Sequence, residues 1–102
     1  MSIKNISLNI NSTSTREALQ IQEDAARDLY LQLRAIGLEP ERACVAAAQH
    51  DEFMSTLALH ANRSLASLRE LAIKSPVSFP ARVFYARCAG VRLAAEQIGD
   101  IK

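Results

Sequence analysis

The sequence predicts an all-α protein of about four helices, packed as a small antiparallel bundle or as stacked helical hairpins behind an extended N-terminal tail. Three observations predict it. Met54, Ala58, Ala61, Leu65, Leu68 and Ala72 step by four, three, four, three and four. That is one helical face, widened by Leu57 and Leu71. Ala81, Phe84, Cys88, Val91, Ala95 and Ile98 repeat that stepping. Gly37, Pro40, Pro76 and Pro80 punctuate the chain into pieces of helical length. The expected organisation is a tail over residues 1–13 and a single helical domain over 14–102. The stripe from Met54 to Ala72 is its central helix.

Ser14-Thr-Arg-Glu17 fits a capping box and starts the first helix. Leu19, Ala26, Leu29, Leu33 and Ile36 mark its buried face, and Ala18, Ala25 and Tyr30 lie beside them. Gly37 supplies the left-handed terminator. Pro40 opens the second helix over 40–49, where a missing amide is harmless. The short connection makes the two helices antiparallel neighbours. Gln49-His50-Asp51-Glu52 is a polar interruption, read as a break with Asp51 as the next cap. The central helix ends near Lys74. Ser75-Pro76-Val77-Ser78-Phe79-Pro80 cannot continue it. Ser78 caps the last helix, which Gly99 ends.

Composition limits the function classes. The chain has 102 residues, 49% hydrophobic and 5% aromatic, with a net charge of +1. Much of the apolar content is alanine, which lets helices approach closely but buries little area per residue. Part of the stability is therefore assigned to self-association or a partner. The charge is uneven: residues 1–52 balance at −3 and residues 53–102 at +4. Such a split suits pairing within one molecule or between molecules, and it is equally what chance gives a short chain. Met1 to Asn11 lacks the continuous apolar run of a signal peptide. No stretch approaches the roughly 20 apolar residues of a membrane span. A cytoplasmic location is expected. Cys44 and Cys88 form no CxxC and sit among apolar residues, as small, buried, reduced side chains do.

No residue is assigned a catalytic, cofactor-binding or metal role. Serines lack the GxSxG turn, and no glycine-rich phosphate loop exists. His50 and His60 are ten apart, which is wrong for a shared metal on one helical face. The row Ala86, Gly90, Ala94, spaced by four, lets another backbone come close. It marks either tight packing inside the monomer or a partner face, and Ala86, Gly90 and Ala94 are the expected interface residues of the second reading. The function expected is therefore a non-enzymatic protein-binding module: a small adapter, chaperone or regulatory partner. Its alanine-rich helical face docks another protein or a second copy of itself, as a homodimer, with no membrane and no cofactor.

Two alternatives stand behind it. In residues 3–10, Ile6, Leu8 and Ile10 alternate with Asn5, Ser7 and Asn9, as in a strand. A strand followed by two helices is similar to the order in ribbon-helix-helix repressors, whose strand pairs with its twin and enters the major groove. The resemblance implies a dimeric DNA-binding regulator offering Lys4, Asn5, Ser7 and Asn9. The strand carries one basic residue, however, and the first helix is longer than that family's. Arg82, Arg87 and Arg92 are five apart and spiral around their helix, and with Arg63, Arg69 and Lys74 they form no single stripe. Nucleic acid is thus the less favoured partner. The segment His60-Ala-Asn-Arg-Ser64 resembles the active helix of histidine phosphotransfer domains in its reactive-type histidine with a cation three residues on. That family's leucine at two and glycine at four are Asn62 and Ser64 here.

Overall fold

The computed structural model describes residues 13–61, 63–74 and 78–101. The expected strand over 3–10, the rest of the tail to residue 12, and the heart of the connector at 75–77 lie outside the described residues. Within them the chain is all-helical. The five described helices are α1 (Thr13–Ala35), α2 (Pro40–Ala48), α3 (Glu52–Leu59), α4 (Leu65–Lys74) and α5 (Phe79–Gln97).

The helix ends follow local chemistry. Gly37 (φ +102°) and Gly99 (φ +81°) both stand in the left-handed region. Each closes a helix with paired return bonds: the Leu38 amide to the Leu33 carbonyl at 3.0 Å, and the Asp100 amide to the Ala95 carbonyl at 2.9 Å. Pro40 sits in the first turn of α2. The interruption at 49–52 is a true break. Gln49 takes φ 56°, and the Asp51 carboxylate caps α3 by accepting the Met54 amide at 2.9 Å.

The expected central helix is corrected. The stripe is divided between α3, which ends at Leu59, and α4, which begins at Leu65. The Ser64 hydroxyl accepts the Ser67 amide at 3.1 Å and caps α4. Both halves still bury their stripe residues: Ala58 in α3, Leu68 and Ala72 in α4. They do so against different neighbours, because α3 packs on α2 and α5 whereas α4 packs on α5 and α1.

The organising element is α5. It alone touches all four other helices, and Phe84, Ala86 to Val91, Ala94 and Ala95 are buried on every side of it. A helix covered all round is a core helix. Its main partner is α1, and the two run parallel. Leu19 meets Ala86, Glu23 meets Gly90, and Arg34 reaches Asp100, so both chains progress in one direction. The uniformly antiparallel bundle is corrected accordingly. The three intervening helices supply the return path that a parallel pair requires. α4 runs against both, placing Arg69 on Glu23 and Ala72 beside Leu19 and Ala86. α2 and α3 form an antiparallel hairpin, with Cys44 opposite Ser55 and Glu41 opposite His60.

Candidate partner-binding surface

The small-residue row lies inside the chain. Ala86 is 2% exposed and Ala94 fully buried, and Gly90 is buried between them. A β-carbon on Gly90 would stand 2.0 Å from the Glu23 carbonyl oxygen. The close backbone approach that the row permits is made by α1, so these three residues offer no open face. Any exposed interface has to be sought elsewhere.

The charged residues of the second half are also mostly engaged within the chain. Arg69 grips the buried carboxylate of Glu23, with Nη2 at 2.6 Å and Nε at 3.0 Å. Arg92 lies 3.0 Å from Glu96, and Lys74 lies 3.7 Å from Glu70. Arg82 donates to the carbonyls of Ala72 and Ile73, both at 2.7 Å, covering acceptors that the end of α4 leaves open. Arg87 donates to the Ala47 carbonyl and to Gln22. Cations held in this way form no single basic face for phosphate.

His60 caps the C-terminal end of α3, and its Nε2 lies 3.2 Å from Glu41 Oε2. A reactive phosphotransfer histidine projects from a continuous helix face; this one closes a helix and rests on a carboxylate. Cys44 and Cys88 are free and buried. Burial pushes the Cys44 thiol up to about 12, helped by nearby Glu41, and raises Cys88 also. Such thiols hold their protons and make poor nucleophiles. Among the described residues no group of three or more His, Cys, Asp or Glu could hold a metal ion. None of the described helices is long and apolar enough to cross a membrane.

The open surface is on the α2–α3 hairpin. A groove of about 540 Å³ is lined by Leu38, Glu39, Glu41, Arg42, Val45, Ala46 and Glu52. Leu38 and Val45 are half-buried and Ala46 is exposed, so its floor is apolar. Three glutamates against one arginine make its rim acidic. Phe53, next to Glu52, is 82% exposed, and Ile36, two residues before Leu38, is 78% exposed. The groove shares Glu41, Val45 and Glu52 with a second pocket, of about 50 Å³. The Ser55 hydroxyl lines it with no hydrogen-bond partner among the described residues.

Local sequence builds this surface. Pro40 starts α2 immediately after Gly37 turns the chain, which sets Leu38 and Glu39 at its mouth. The left-handed Gln49 and the Asp51 cap then fold α3 back, bringing Glu52 beside Glu41 and Val45. The groove is therefore made by three segments. The signal that pointed to it was the −3 balance of residues 1–52, read as a bulk charge and not as a rim. Comparison with family models, with curated proteins and with solved structures finds no significant match to this chain.

Proposed function

We propose that the protein is a non-enzymatic binding module, and that the α2–α3 groove takes a basic, amphipathic helical segment of another protein. The observation that carries this reading is the pairing of an apolar floor with a glutamate rim beside the outward-facing ring of Phe53. The Phe53 ring, 82% exposed, follows Glu52 in the chain and adds apolar area that a partner seated on the groove would cover. Full burial of such a ring contributes about 2 kcal/mol. Val45 and Leu38 extend the apolar contact, while Glu39, Glu41 and Glu52 select a cationic partner and speed its approach. A helix laid into a groove with apolar anchors one turn apart is the mode that suits this shape.

The rim chemistry disfavours self-association here. In a two-fold dimer the same patch faces itself, which would set glutamate against glutamate. A different protein is therefore the favoured partner, in an adapter, chaperone or regulatory role.

The test is an affinity capture from nuclease-treated lysate of the source cell, run with the natural chain and with two variants, Phe53→Ser and the double change Glu39→Lys with Glu52→Lys. The expected result is one stoichiometric protein bearing a basic amphipathic helix, retained by the natural chain and lost from both variants, all three having matching thermal melts. A partner whose retention ignores both variants, or capture of nothing beyond the chain itself, overturns the reading.

A further inference from the structure

The buried guanidinium of Arg87 differs from the other charged groups of the interior. Arg87 is 6% exposed. Its Nε donates to the Ala47 carbonyl at 2.9 Å and its Nη1 to the Gln22 side-chain oxygen at 2.8 Å. Both acceptors are neutral. Elsewhere buried charge meets its opposite: Glu23 has Arg69, and Asp100 has Arg34. No carboxylate pairs with Arg87 among the described residues. A guanidinium carries five N–H donors, and these two bonds engage only two. Desolvation alone pulls its pKa below the ordinary arginine value, the mark of a cation removed from water with no compensating charge.

Arg87 lines a cleft of about 400 Å³ between the end of α2, the turn into α3, and the first half of α5. That volume is within the range of small-molecule sites. No Asp or Glu lines it. Met54, Val83 and Phe84 give it apolar walls, and Tyr85 and His50 add polar edges. The His50 ring stands 4.5 Å from Phe84, and its Nδ1 accepts the Asp51 amide at 2.9 Å. In the neutral ring that bond leaves the proton on Nε2, as a donor. Asp51 Oδ2 lies 3.5 Å from the same Nδ1. A single buried cation beside apolar walls is matched to one negative charge on an apolar body. A phosphate, with two charges and three acceptor oxygens, calls for more donors than one arginine offers.

We propose that this cleft is a binding site for a small organic monocarboxylate with an aromatic or aliphatic body. Its carboxylate meets Arg87, and its body lies between Met54 and Phe84. The site is separate from the α2–α3 groove and does not depend on the partner reading.

The test is a titration of the full chain with benzoate, hexanoate and indole-3-acetate, each against its uncharged amide at matched ionic strength. It is followed by thermal melting and by amide chemical shifts. At about ten times the dissociation constant, at least one carboxylate should raise Tm by about 8 °C, and its amide should not. The shifts should gather at His50, Phe84 and Arg87. Arg87→Gln should abolish the response, but that change also removes bonds to Ala47 and Gln22. Ala81→Phe therefore serves as the second variant. It narrows the cleft from its wall, leaves Arg87 in place, and should also abolish the response. The proposal is overturned if no carboxylate acts, if the amides act equally, or if the response survives Ala81→Phe.

Discussion

Gly90 on α5 lies against the backbone of Glu23 on α1, so closely that a β-carbon there would meet the Glu23 carbonyl oxygen at 2.0 Å and the Arg27 amide nitrogen at 3.0 Å. Neither atom can swing aside, because both belong to a helix backbone. Gly90→Ala, which improves intrinsic helix propensity by about 1 kcal/mol on an isolated helix, should instead destabilise the protein by about 3 kcal/mol through overpacking. Urea unfolding measures the difference. A variant as stable as the parent would mean that the two helices do not meet there.

Asp100 holds the far end of the same helix pair. It accepts the Tyr30 hydroxyl at 2.5 Å and takes both ends of the Arg34 guanidinium, at 2.8 and 2.9 Å. The bonds from Arg34, and then from Tyr30, hold its carboxyl below the ordinary value of 3.8. A depressed carboxyl stabilises the fold above its unfolded value, and the contribution is lost as pH falls through the folded one. Below about pH 4, therefore, the natural chain should lose stability more steeply than Asp100→Asn, which starts lower and carries no such titration. Parallel melts from pH 6 to pH 2 test this. Identical slopes would show that the pair contributes nothing.

The helix boundaries show what was legible in the sequence. Gly37, Pro40, Asp51 and Gly99 act locally, and each marks an end close to where the chain has one; Ser78 stands at the start of α5, but its hydroxyl makes no capping bond. The split at 60–64 was hidden because the periodic stripe keeps its phase across the interruption. Ala58, Ala61 and Leu65 step correctly whether or not a helix joins them. Ser64, three residues before Ser67, was the available cap signal. The row Ala86, Gly90, Ala94 correctly marked a close approach, but spacing alone does not say whose backbone comes near. The surface groove was least legible. Leu38, Val45 and Glu52 become neighbours only after two turns, and no pattern along the chain records that.

The turn between α2 and α3 makes a paired prediction. Gln49 holds φ 56°, a conformation that side chains disfavour by about 1 kcal/mol. The Asp51 cap contributes a similar amount. Gln49→Gly should raise stability by up to about 1 kcal/mol, and Asp51→Ala should lower it by about 1 kcal/mol. Simple addition of the two effects puts the double variant near the parent in denaturation, and any departure measures their coupling within the one turn. Opposite signs for either single change would mean that the turn is not built as described.

The last prediction concerns the thiols. Cys44 is 2% exposed, donates its Sγ proton to the Ser55 carbonyl at 3.0 Å, and is pushed by burial from 9.0 up to about 12. Cys88 is fully buried and is raised by the same cause. Thiolate is the reactive form, so alkylation of either residue has to wait for the chain to open. With an opening free energy near 5 kcal/mol, typical of a small domain, reaction should be roughly 5,000-fold slower than in urea. The same shifts fix an alkaline sign. Unfolded thiols ionise near 9, and the unfolded Tyr30 phenol near 10, whereas the folded groups keep their protons. For Tyr30, burial and its bond to Asp100 raise the pKa. Their contribution is therefore intact below pH 9 and declines as pH climbs toward 12. Iodoacetamide labelling read by mass spectrometry, native against denatured, and melts from pH 8 to pH 11 measure both effects. Fast labelling of Cys44 or Cys88 in the folded chain would show that its neighbourhood opens far more readily than the packing around α5 implies.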